Sequence, residues 1–153
     1  MDLVLTGLHG IIAKSKAIAK SEFAQEMMGD IATLVMLRIK DRTIAGEDVQ
    51  GHDFIAYSKS YKKWRKKKGY KTSPVDLTLS GHMLSAMTET HNNEEAKIFF
   101  VNTSDPTGAS APDKAFWNNK DREFFGLSKQ DEKDIMKIVV DYYEKLMGRR
   151  TLR

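Results

Sequence analysis

Near the C-terminal end of the sequence, Ile135, Ile138, Val139, Tyr142 and Leu146 recur at three- and four-residue steps, the period that aligns side chains on one face of an α-helix. Ser128 precedes them and Asp131 follows it by three residues, so hydroxyl and carboxylate can each serve a backbone N–H at the helix start. Glu132 and Asp134 place negative charge in the first turn, Lys145, Arg149 and Arg150 place positive charge in the last, and Gly148 is positioned as the C′ residue. A helix with one apolar face must bury it against another layer. The expectation is a helix that covers a sheet.

The first third repeats the helical period through Phe23, Met27, Ile31, Leu34 and Arg38, with Met28, Val35 and Ile39 widening the stripe. Ser21 is placed to cap this helix, and the pattern also allows helix from Leu8 to Ala19. Gly29 interrupts it at a cost of about 1 kcal/mol and marks a bend. The methionines read as core filler. Between the two helical ends the period changes. Val75 to Leu79 reads as a short strand-like run after Pro74, Met83 to Thr90 as a strand or a short helix passing into one, and Ala96 to Val101 as the clearest strand. His91 to Glu94 supplies a polar turn that pairs the last two segments as antiparallel neighbours. Thr103 to Pro112, with glycine and two prolines, reads as a loop. The fold class expected is therefore α+β: a long N-terminal helix and a C-terminal helix packed on a small antiparallel sheet. Residues 1–153 form a single domain, with residues 1–20 a peripheral arm or helix and 148–153 a frayed tail.

A chain of 153 residues supports one ordinary core, and 41% hydrophobic with 30% charged residues is a globular composition. With no cysteine, disulfides and thiolate chemistry are excluded. The N-terminus carries no basic leader, and Lys14, Lys16 and Lys20 break up any signal-peptide apolar region, so no export is expected. No apolar run approaches the ~20 residues that span a bilayer, and no membrane contact is expected.

Chemistry-bearing patterns are sparse. His9, His52, His82 and His91 are scattered outside any metal-ligand spacing. Ser80 lacks a nucleophile elbow, and Ser80-Gly81 reads as a turn. No phosphate-cradling glycine motif is present. No catalytic, metal or cofactor residues are nominated, and the chain is not expected to be an enzyme.

The charge is unevenly spread. Residues 51–80 carry eight lysines and arginines against two acids, while the flanking segments each sum to −1. From Ile44 to Pro74 the periodicity fails, and a connection of about 30 residues is long enough to read as functional, mobile or partly helical between Lys59 and Lys68. Its centre interleaves Tyr57, Tyr61, Trp64 and Tyr70 with cations, a composition suited to phosphate contact and ring stacking. On a helix the same rings recur at helical spacing and pack inward while the lysines stay solvated. The candidate partner or DNA contacts are Lys62, Lys63, Arg65, Lys66, Lys67 and Lys68, with Tyr61 and Trp64 as anchors.

Three segments carry a resemblance: Phe54-Ile55-Ala56-Tyr57-Ser58 with Tyr61 and Lys66-Lys67, then Leu77-Thr78-Leu79-Ser80-Gly81-His82-Met83-Leu84-Ser85, then Arg122-Glu123-Phe124-Phe125-Gly126-Leu127-Ser128 with Asp131 and Ile135. In this order, over roughly residues 25 to 147, the chain resembles the phage virion morphogenesis, or tail completion, family and the wider group of head–tail joining and neck proteins. It departs from that pattern at Ala115 to Lys120, where family members often place a strand, and in lacking a proline near Arg122. The resemblance implies a structural virion protein, a neck, head–tail connector, tail completion or tail terminator subunit. It would form a homo-oligomeric ring, meet other neck, connector or tail proteins, and contact DNA non-specifically in the ring lumen. The alternative is a small basic nucleic-acid-binding protein using residues 59–71.

Overall fold

The structure, a computed structural model, describes residues 2–4, 23–105 and 108–151. Helix α1, Ala24–Ala45, buries Met27, Met28, Ile31, Val35 and Ile39 of the expected stripe together with Ala32, while Leu34 is only half-buried and Arg38 is exposed. The proposed cap Ser21 and the stretch from Leu8 to Ala19 lie outside the described residues. Gly29 sits where α1 meets the sheet: a Cβ there would stand 2.9 Å from Nε2 of His91. Close approach of the sheet explains a glycine that helix propensity disfavours.

Helix α1 ends in a left-handed cap. Gly46, at φ +92°, donates its N–H to the Thr43 carbonyl while Glu47 donates to that of Arg42, the paired bonds of a Schellman ending. A Cβ on Gly46 would meet Pro74 Cβ at 2.7 Å, so both conformation and space require glycine.

The short helix α2, Lys59–Lys67, and the four-residue α3, His82–Ser85, precede a hairpin of β2, Met87–His91, and β3, Ala96–Phe100. The register runs from Met87 opposite Phe100 to His91 opposite Ala96. Asn92 holds the turn, its side-chain oxygen accepting the N–H groups of Glu94 and Glu95. Strand β1, Asp2–Val4, pairs antiparallel on the other side of β3, giving the order β1-β3-β2. Along β3, Ala96, Ile98 and Phe100 turn inward to the common core under α1. The fold is α+β.

Val75 to Leu79 is not a strand. Asp76 accepts the N–H of Thr78 through its own carboxylate, and Leu77 takes φ +49°, so the backbone turns instead of extending. The loop read over Thr103–Pro112 is also shorter than expected, because helix α4, Ala111–Asp121, begins inside it. Ser110 caps α4 by accepting the N–H of Asp113, and Pro112 occupies the first turn.

Helix α5, Lys129–Thr151, carries the expected capping box: Ser128 Oγ accepts the N–H of Asp131 at 3.0 Å, and Asp131 accepts that of Ser128 at 2.8 Å. It runs through Gly148, which is therefore a helix residue and not its C′ ending. Ile135, Val139 and Tyr142 reach the core. Helix α5 lies antiparallel along α1: Arg42 pairs with Asp131 at 3.0 Å, Arg38 with Asp134 at 2.8 Å, and the Tyr142 hydroxyl donates to Asp30 at 2.7 Å. Arg42 also donates to the carbonyls of Phe124 and Gly126, fastening the turn before α5 to the end of α1.

Candidate functional site

The long basic connection is built around one buried cation. Ser58 caps α2 by accepting the N–H of Tyr61, and Tyr57, Tyr61 and Arg65 follow at four-residue steps along one side. That side faces the domain. Arg65 is only 2% exposed, and its guanidinium donates to the carbonyls of Lys71 at 2.6 Å and Thr78 at 2.9 Å and stands 3.5 Å from Asp76. It lies 4.7 Å from the centre of the Tyr57 ring and 5.8 Å from those of Tyr61 and Tyr70. Arg65 is therefore removed from the set of partner-contacting cations: burial closes it to a partner, and its donors hold α2 to the irregular segment behind it.

Past Lys67, the N–H groups of Gly69 and Tyr70 bond back to Lys66 and Arg65, which returns Tyr70 to the helix. Tyr61 and Trp64 then stack at 5.6 Å and Trp64 and Tyr70 at 6.1 Å. Trp64 remains 42% exposed, so it stacks over the anchor instead of sinking into the core. Tyr57 is the ring that does enter the core, and burial raises its phenol above the ordinary range.

The lysines divide from the arginine. Lys63, Lys66, Lys67 and Lys68 are exposed and Lys62 is half-buried. Among the described residues none of these five has an acidic group within ion-pair distance. Lys59 shares this condition.

The segments that carry the family resemblance meet beside this helix. Arg122 donates to the Ile55 carbonyl at 2.9 Å and its guanidinium lies 5.5 Å from the Tyr57 ring centre. The Thr78 carbonyl receives Arg65, and Phe124 and Phe125 pack on Phe100. Gly126 lets the chain pass Val49, whose Cγ2 would lie 3.2 Å from a Cβ there. These residues pack and fasten the fold. A cleft of about 470 Å³ opens beside them, lined by Tyr57, Arg65, His82, Lys114 and Arg122. The larger groove, about 960 Å³ between α1 and the start of α5, is lined by Arg38, Arg42 and Asp131, of which Arg42 is paired with Asp131 and Arg38 with Asp134.

The three histidines among the described residues do not converge, and His9 lies outside them. His52 pairs with Asp48 at 3.4 Å on the surface, His91 pairs with Glu89 at 2.9 Å on β2, and Ser80 accepts the backbone N–H of His82 in a turn. Among the described residues no three His, Asp or Glu side chains are grouped to hold a metal ion, and no helix is long and apolar enough to cross a membrane.

A second surface escaped the sequence reading. On the outer side of α5, Met136, Val140, Tyr143 and Met147 follow four-, three- and four-residue steps and are 42–47% exposed. Together with the buried face they extend the apolar arc of α5 well beyond what α1 covers, and the steps are those of a helix-pairing seam. The signal lay in the sequence, but periodicity alone does not say which apolar residues the subunit covers. Phe116 and Trp117 add an exposed aromatic pair on α4.

No protein-family model matches the chain, and no curated protein and no solved structure matches it.

Proposed function

We propose that this chain is a structural subunit of a tailed-bacteriophage particle, a neck, head–tail connector or tail completion component that assembles with copies of itself into a ring. The reading rests on the sequence resemblance and is carried structurally by the uncovered seam on α5. Fully burying a Met or Val side chain contributes about 1.5–3 kcal/mol; with a little under half of each seam residue exposed, completing the burial contributes roughly 1 kcal/mol per residue. Three such residues, Met136, Val140 and Tyr143, on each of two partners supply a useful part of an interface, which a monomer leaves largely in water.

The test is the mass of the purified chain in solution, measured by light scattering at rising concentration. Assembly predicts a mass above the 17.4 kDa of one chain. Val140→Glu with Tyr143→Glu should return the mass to that of one chain without lowering the melting temperature. A double variant that assembles as the wild type does would remove the seam from the account.

A further inference from the structure

We propose that the lysine face of α2 is a separate binding site, a contact surface for the phosphate backbone of duplex DNA that is blind to base sequence. It does not depend on the assembly reading, since a single subunit carries the whole surface.

The first argument is the electrostatic state of the helix. Lys59, Lys62, Lys63, Lys66 and Lys67 lie on nine residues, Lys68 follows directly, and the first turn holds no acid. Elsewhere on the surface, Arg38, Lys114 and Lys137 each have a carboxylate partner, and the exposed Lys120, Lys129 and Lys133, which have none among the described residues, sit in sequence among acidic neighbours. Here the like charges Lys59 and Lys63, Lys62 and Lys66, and Lys63 and Lys67 stand one turn apart, an arrangement that destabilises a helix until counter-charge arrives. Arg65 and the ring stack hold the helix in place from below in spite of that repulsion.

The second argument separates a nucleic acid from an acidic protein. Protein interfaces are depleted in lysine and anchored by arginine and aromatic residues. On α2 the arginine is turned inward, and Tyr61, Trp64 and Tyr70 are engaged with one another. Beside the exposed parts of the stacked Trp64 and Tyr70, what faces outward is an array of flexible point charges with no free fork for bidentate pairing. Nine helical residues extend about 13 Å, a length over which a duplex presents about eight phosphate charges. The five lysines on those nine residues supply more than half that charge. Rings stacked on each other are poorly placed to receive unpaired bases, which favours duplex over single strand.

The experiment is fluorescence anisotropy of a labelled 20-base-pair duplex of arbitrary sequence, titrated with the full chain at several salt concentrations. Four to six phosphate contacts predict a log–log salt slope of about −4 to −5, so affinity falls about 300- to 1,000-fold between 50 and 200 mM salt. Replacing Lys63, Lys66 and Lys67 by Gln should reduce the slope by about 3, with circular dichroism confirming an unchanged fold. Two scrambled duplexes should bind equally. The proposal is overturned if the wild type shows no salt-dependent binding, if the triple variant keeps the wild-type slope, or if polyglutamate of equal charge binds as tightly as the duplex, which would assign the surface to an acidic protein.

Discussion

Replacing Arg65 by Ala tests whether α2 hangs on a single buried cation. The change removes two hydrogen bonds to the Lys71 and Thr78 carbonyls and the only cation within 4 Å of Asp76 among the described residues. Asp76 is itself 8% exposed and keeps just the Thr78 N–H. Breaking a buried pair from one side costs about 3–5 kcal/mol, because the remaining charge stays desolvated. For a domain of this size that lowers the melting temperature by about 6–20 °C. Asp76→Asn retains an oxygen for the Thr78 N–H while removing the charge, so Arg65→Ala with Asp76→Asn should be less damaging than the sum of the single changes by about 1–3 kcal/mol. Arg65→Lys should recover little, since an ammonium cannot span both carbonyls as the guanidinium does. The assay is urea unfolding followed by circular dichroism, with the slope checked for two-state behaviour. A loss under 1 kcal/mol in Arg65→Ala, or strict additivity in the double variant, would refute the reasoning.

Ser128→Ala should cost about 0.5–2 kcal/mol and Ser128→Asp much less, measured by chemical denaturation; equal damage from both would remove the capping assignment. Gly46→Ala should destabilise by about 1–3 kcal/mol from the left-handed backbone alone, with the Pro74 contact adding to it; an unchanged melting temperature would contradict the tight ending of α1. Burial, with help from the hydrogen bond to Asp30 and the nearby Glu26 carboxylate, pushes the Tyr142 phenol above its ordinary value. The folded state therefore holds this proton more tightly than the unfolded one, so the contribution is complete below pH ~10 and is lost as pH rises above it. Tyr142→Phe should flatten that alkaline decline in urea midpoints between pH 7 and 11, and an identical decline in both proteins would show that Tyr142 is not its source.

The elements that were legible in the sequence are those whose determinants are local. The capping box at Ser128 and Asp131 and the run of aromatic and β-branched residues from Ala96 to Val101 are set by residues within a turn or strand of one another, and the structure contains the cap and a strand over Ala96–Phe100. Helix α4 was missed although Ser110, Pro112 and Asp113 are start signals. Its buried residues are only Ala111 and Ala115, while Phe116 and Trp117 point outward, so no apolar stripe advertised it. Val75 to Leu79 failed for the opposite reason. Its apolar residues alternate like a strand, but the Asp76 carboxylate captures the backbone and Leu77 turns it. Arg65 shows the limit of reading charge by composition: within a run of lysines its being the one arginine and its four-residue step from Tyr61 set it apart, but its partners at Lys71, Asp76 and Thr78 are supplied by the chain folding back. Strand β1, three residues long, depends on its ladder with β3 and has no pattern of its own.

The proposal that this chain is a particle subunit is tested most directly by electron cryomicroscopy of purified virions from a phage that encodes it. The account predicts multiple copies arranged as a ring at the head–tail junction, with Met136, Val140 and Tyr143 of α5 buried against a neighbouring subunit. Particles complete at that junction and containing no copy of the chain would contradict it.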